Sequence, residues 1–250
     1  MQREQLSWRS PALGREMPLI VYGDAGWPVV VFPTQNSPCT DYESFGMVEE
    51  LSDFVEGGRV QLFCVDSVDR ESWSAEGFNP ESRANLQEAF FAYVCEEVVP
   101  FVRDRNGSQR RPLATGCSMG ATHALIAALR RPDLFEGCIA LSGVYDAQHF
   151  FGGWMNETLY HNSPVHFLPN MPLDHEYVQL YRRRQLVLCV GQGAWEEEGV
   201  CTQRIVQAAL ERIDAGAWCD YWGFDVNHDW PWWKKQMRYF LPIVLERLGA

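Results

Sequence analysis

A single serine, Ser118, stands between Gly116 and Gly120 in the stretch LATGCSMGATHALIAAL, where an apolar run passes into one with helical spacing. Glycine weakens both strands and helices. Two of them bracketing one hydroxyl need a reason, and the G-x-S-x-G pattern supplies a steric one. A sharp strand-to-helix turn lifts the serine above a sheet and leaves its flanks no room for side chains. The turn also aims backbone N–H groups at a helix N-terminus, where negative charge is favoured. The pattern predicts Ser118 as a nucleophile and the N–H of Met119 as one oxyanion donor. The plainer reading is a tightly packed turn with an inert serine.

A serine hydroxyl is not ionised at neutral pH, so it needs a base. Of six histidines, His123 follows the serine by five positions, inside the same helical stretch. His149, His161, His166 and His175 all fall in one long connection. His228 differs: it sits in FDVNHDWPWW, after the last strand-like segment and before the last helical one. That place gives the chain order Ser, acid, His of the α/β-hydrolase arrangement. The acid should follow the strand-like QLVLCV, where the sequence offers GQGAWEEEG. Gly191 and Gly193 allow a tight turn there, and only a residue still in the turn can point inward. Glu196 is the expected acid on that ground, with Trp195 packing inward to fix the turn. Glu197 is the alternative, and Glu197 and Glu198 otherwise face water on a helix's first turn, where acidic residues are favoured. Asp146, Asp225 and Asp229 are outside candidates. The second oxyanion donor is expected from TQNSPCTDYESFG, with the N–H of Gln35 preferred over those of Thr34 and Asn36.

The elements that must hold these groups alternate along the chain. EQLSWRS and REMPLIVYG read as an antiparallel start with a turn near residues 12–14. WPVVVFPT, RVQLFCVDS, a short segment around Leu113, CIALSGVYD, QLVLCVGQ and AWCDYWGF read as buried strands. Helical patterns fall between them: MVEELSDFVEGG, one long helix from about 81 to 105 kinked by Pro100, one after Ser118 that stops near Pro132, one from 200 to 214, and one from 232 to 248. Alternation of this kind predicts an α/β fold, a mostly parallel central sheet with helices on both faces and functional groups at the strands' carboxyl ends. Residues 147–184, between the strands near 140 and 188, are too long for a usual crossover. They read as an insertion and a candidate cap on one domain spanning 1–250.

GCSMGATHAL, RRPDLFEGCIALSGVYD, VGQGAWEEE and DVNHDWPWW together resemble the putative esterase family of the α/β-hydrolase superfamily, the group that includes esterase D-type enzymes, feruloyl esterases and mycolyl-transferase-like proteins. The resemblance runs from VVVFPT to the final helix. It implies Ser118 as nucleophile, His228 as base and a carboxylate after QLVLCV. Commoner members place an aspartate soon after that strand, whereas this chain has glutamates preceded by a tryptophan.

The bulk composition agrees with a globular protein: 250 residues, 46% hydrophobic, 22% charged. A formal charge of -12 argues against nucleic acid or anionic membrane as partner. No apolar run reaches membrane-spanning length, and MQREQLSWRS lacks the apolar core of a secretory signal. Eight cysteines without a C-x-x-C pair suit reduced thiols in the cytoplasm. No cofactor or metal is expected: neither His161 with His166 nor Asp174-His175-Glu176 has a ligand pattern. The expected activity is hydrolysis of a small-molecule carboxylic ester through an acyl-enzyme. The alternatives are an acyltransferase using the same triad and a non-catalytic binding protein on the same fold. Trp154, Trp195 and Trp230 are candidate pocket residues, and a homo-oligomer is allowed.

Overall fold

A computed structural model of the chain describes residues 1–250. One eight-stranded sheet organises it, in the order β1-β2-β4-β3-β5-β6-β7-β8. The strands are β1 (Arg3–Arg9), β2 (Glu16–Tyr22), β3 (Trp27–Phe32), β4 (Val60–Val65), β5 (Leu113–Cys117), β6 (Gly137–Leu141), β7 (Gln185–Val190) and β8 (Trp218–Tyr221). The pairs β1–β2 and β2–β4 are antiparallel and all others are parallel. This is the α/β-hydrolase fold. The expected antiparallel start, the parallel remainder and the alternation all appear in it.

Every residue of β3, β4, β5 and β6 is buried. These strands are near-continuous hydrophobic runs because helices cover both faces. Alternate residues feed two separate cores. Val30, Phe32, Phe63, Ala114, Ala140 and Leu188 pack on one face. Val29, Val31, Leu62, Leu113, Ile139 and Val187 pack on the other. The first core lies under α4 (Pro80–Tyr93), α5 (Val99–Asn106), α6 (Met119–Arg130) and α11 (Glu197–Arg212). The second lies under the short helices α1 (Asp41–Ser44), α2 (Met47–Glu50) and α3 (Ser52–Glu56) and the last helix, α12 (Trp230–Arg247).

Two helical expectations are corrected. The segment expected as one helix, MVEELSDFVEGG, is two short helices, Met47–Glu50 and Ser52–Glu56, separated at Leu51. The long helix of 81–105 is interrupted upstream of Pro100 by a π-helical turn at Val94–Val98. Pro100 has no N–H to give to the carbonyl four residues back, and the chain takes up the mismatch in the wider turn ahead of it. The strand expected from CIALSGVYD stops at Leu141, because Ser142 turns to φ 57°.

Residues 147–184 hold four short helices between β6 and β7: α7 (Ala147–Phe150), α8 (Glu157–His161), α9 (Pro164–Phe167) and α10 (Glu176–Tyr181). Arg130 of α6 ties this segment down. It donates to both carboxylate oxygens of Glu88 on α4 (2.8 and 2.7 Å) and to Asn162 (3.2 Å), and Asn162 donates to Glu88 (3.0 Å). No helix is long and apolar enough to cross a membrane.

Candidate active site

The site is built at the point where strand order reverses, with β3 between β4 and β5. Ser118 follows β5 directly and caps α6, with φ 57° and ψ -124°. Few L-residues hold a positive φ, and strain of this kind concentrates at functional sites. The flanking glycines have steric causes. A Cβ on Gly116 would lie 2.4 Å from the Gly120 backbone carbon, and one on Gly120 would lie 2.4 Å from the Phe32 carbonyl oxygen. Alanine at either position would drive the helix off the sheet. Cys117 next door is no rival nucleophile, since it is fully buried and burial pushes its thiol far up.

His228 lies in the loop between β8 and α12. Its Nε2 is 2.9 Å from Ser118 Oγ, and its Nδ1 is 3.1 Å from Glu196 Oε2. With Nδ1–H donating to the carboxylate, Nε2 carries the lone pair that accepts the serine hydroxyl proton. Glu196 is 1% exposed, whereas Glu197 and Glu198 are exposed. Asp146 and Asp229 are instead helix caps, accepting from Gln148 N–H (2.8 Å) and Trp230 N–H (2.7 Å).

The loops carrying acid and base are stitched together. Gly193 N–H donates to the Val226 carbonyl (2.8 Å), Ala194 N–H to Asn227 Oδ1 (2.8 Å) and His228 N–H to the Ala194 carbonyl (3.0 Å). Gly193 allows the approach: a Cβ there would meet Asn227 Oδ1 at 2.3 Å. This stitching corrects the expectation for Trp195. Its φ of 67° turns the indole into water, 84% exposed, and the hydrogen bonds to residues 226 and 227 fix the turn instead.

Ser142, which the sequence did not single out, braces Glu196 and is braced in turn by Trp233. Ser142 Oγ donates to Glu196 Oε1 at 2.6 Å and accepts from Trp233 Nε1 at 2.9 Å. Trp233 also stands edge-on to the His228 ring, 4.9 Å between centroids. Ser142 follows directly on β6, the neighbour of both β5 and β7. Its only signal is the strand order, which sets the end of β6 beside those of β5 and β7.

The loop after β3 runs beside the elbow, since the Phe32 and Pro33 carbonyls press on Gly120. Thr34 N–H is taken by Asp41 Oδ2 at 2.7 Å, which removes it as an oxyanion donor. The N–H groups of Gln35 and Met119 donate to no protein acceptor. Met119 is the first residue of α6, whose opening N–H groups have no partner within the helix.

The remaining candidates separate. Trp154 packs with Phe151 in a small cluster that includes Met119. Trp230 is buried, stacked on Phe45 at 4.8 Å and edge-on to Trp233. His166 bonds Ser163 and Gln148, and His175 caps α10. Phe167 lines a cavity of about 370 Å³ with Leu129 and Arg130 at the far end of α6. Ten or eleven residues of helix, roughly 16 Å, separate it from the elbow.

The model of the family described as putative esterase matches residues 10–242. No curated protein matches by sequence. Among solved structures, a ferulic acid esterase superposes on 98% of this chain and 98% of its own, with TM-score 0.75 and 14% identity. An S-formylglutathione hydrolase from Agrobacterium tumefaciens covers 99% of this chain and 95% of its own, with TM-score 0.76 and 16% identity. The fluorophosphonate-binding serine hydrolase F of Staphylococcus aureus covers 98% of both chains, with TM-score 0.68 and 15% identity. At these identities the likeness concerns the fold.

Proposed function

The chain belongs to the putative esterase family, a carboxylesterase-type enzyme, and from that premise we propose that it cleaves small-molecule carboxylic esters through an acyl-enzyme on Ser118. The observation that carries this reading is the unbroken run Glu196–His228–Ser118, at 3.1 and 2.9 Å, ending on a strained elbow. Ser118 Oγ attacks the ester carbonyl while His228 Nε2 takes its proton. The carbonyl oxygen becomes an oxyanion that meets the N–H groups of Met119 and Gln35. Collapse breaks the bond to the alcohol oxygen, which leaves with the proton from Nε2. Water then attacks the acyl-enzyme by the same route, giving its proton to His228 and restoring Ser118. Glu196 stays ionised, holds the ring tautomer and stabilises the imidazolium. A complete, hydrogen-bonded triad favours turnover over a non-catalytic binding role.

Residues 147–184 act, in this proposal, as a cap on the acyl side of one domain. The support is Trp154 and Phe151 packing around Met119, the neighbour of Ser118. His149 of α7 also lies 3.9 Å from Glu198, two residues past the acid. The cytoplasm is the proposed compartment, because all eight cysteines are free thiols. Burial pushes those of Cys39, Cys95, Cys138 and Cys219 up to about 12.

The test is a panel of p-nitrophenyl esters of rising acyl length, given to the wild type and to Ser118→Ala. The wild type should hydrolyse the panel with a chain-length optimum, and the variant should be inert while melting at the same temperature. Turnover by Ser118→Ala near the wild-type rate refutes the proposal.

A further inference from the structure

We propose that the buried pair Asp69 and His123 positions the second oxyanion donor, by locking the loop of residues 66–75 to the nucleophile helix. The inference rests on the reading of Ser118 and Gln35 given above. His123 belongs to α6, five residues after Ser118, and is 3% exposed; Asp69 is fully buried. His123 Nε2 lies 2.9 Å from Asp69 Oδ1. Three aromatic rings pack round the imidazole: Phe32, Trp73 and Phe90 lie 5.9, 5.8 and 5.3 Å from it. Asp69 Oδ2 is buried without a hydrogen-bond partner. As packing alone the pair is a poor choice. Burying ionisable groups is costly, and apolar residues of similar volume often serve a core as well or better. What an apolar pair lacks is direction.

Direction runs from here to the oxyanion loop. The Asp69 carbonyl accepts Ser74 N–H at 2.8 Å, and Ser74 Oγ accepts the side-chain amide of Gln35 at 2.7 Å. The same loop pins the next two residues: Arg70 Nε donates to the Asn36 carbonyl at 3.0 Å, and Ser67 Oγ to the Ser37 carbonyl at 3.2 Å. The helix that presents Ser118 and Met119 thus holds, through His123 and Asp69, the loop that aligns Gln35. One rigid path sets the spacing between the two N–H groups that must converge on one oxygen. Geometric preorganisation of this kind matters only as charge develops, so loosening it should lower kcat and leave KM nearly unchanged. Asp69 and His123 are positioning residues in this account and touch no substrate.

The experiment uses two sets of variants. In the first, Asp69→Leu and His123→Phe are combined, so that no charge is left buried alone. In the second, Ser74→Ala cuts the path at its exposed end and Ser74→Thr keeps the hydroxyl. Each is assayed for melting temperature, kcat, KM and inhibition by a trifluoromethyl ketone, whose adduct with serine places an oxyanion in the hole. The double variant should fold with unchanged or higher melting temperature, lose about tenfold in kcat and bind the ketone about tenfold more weakly, with KM within twofold. Ser74→Ala should move kcat and ketone affinity the same way, and Ser74→Thr should restore both. If the double variant does not fold, the Ser74 pair decides alone. Wild-type kcat and ketone affinity in Ser74→Ala overturn the proposal. Failure of the underlying reading shows separately, as a wild-type protein that a fluorophosphonate does not label at Ser118.

Discussion

Each group of the candidate triad has one job that its neighbours make possible, so single substitutions should separate the jobs. Loss of the base in His228→Ala should lower kcat on the order of 10³. Steady-state kinetics on a short p-nitrophenyl ester would check it, and an essential histidine among residues 147–184 would contradict it. Glu196→Gln should depress kcat strongly while Glu197→Gln and Glu198→Gln, both at exposed positions, do little. Ser142→Ala is the more informative change. It removes the 2.6 Å hydrogen bond to Glu196 and orphans Trp233 Nε1 without touching substrate. A hydrogen bond to a charged group is worth about 1.5–3 kcal/mol, so kcat should fall about tenfold or more with KM within twofold. That Ser118, His228 and Glu196 would meet was legible in the sequence because residue type and chain order are enough to single them out. Ser142 was not, because a serine just past a strand has no distinctive spacing. Trp195 misled because bulk suggests burial, whereas its left-handed backbone turns it outward.

At the scale of elements, the elbow and the insertion make opposite kinds of prediction. Gly120→Ala places a methyl 2.4 Å from the Phe32 carbonyl oxygen. It should cost about 1–3 kcal/mol, read from urea denaturation, and should lower activity by shifting Ser118. Within the insertion, Trp154→Ala should change the preference between short and long acyl chains more than it changes kcat on the smallest ester. Phe167→Ala should not, because Phe167 sits at the far end of α6. A matching change in both variants would mean that the segment acts as one unit rather than through Trp154. Periodicity found the strands because alternate residues on both faces are apolar. It missed the π-helical turn at Val94–Val98 and the break at Leu51. A proline's local mismatch and a change between two one-turn helices leave the hydrophobic spacing almost unaltered.

For the whole molecule, the two cores either side of the sheet hold in place the candidate site, which is built on loops from five strands. The cluster of Arg130, Glu88 and Asn162 joins α4, α6 and the insertion. Burial opposes ionisation of Glu88, yet the hydrogen bonds and charge of Arg130 hold its carboxyl below the ordinary range. A depressed carboxylate adds stability above its unfolded value, lost as pH falls through its folded one. Wild type and Glu88→Gln should therefore differ most in melting temperature near neutral pH and converge in acid. An equal gap at every pH would assign the difference to packing. The fold class was legible because strand and helix alternate; the pinning of the insertion was not, since Arg130, Glu88 and Asn162 are distant in sequence. The central claim is an acyl-enzyme on Ser118, and intact-protein mass spectrometry with peptide mapping reads it directly. Incubated briefly with a slowly released p-nitrophenyl ester at low pH, the protein should gain one acyl mass, confined to the peptide carrying Ser118 and absent from Ser118→Ala. Rapid ester turnover with the acyl group on any other residue, or an equal gain by Ser118→Ala, would contradict it.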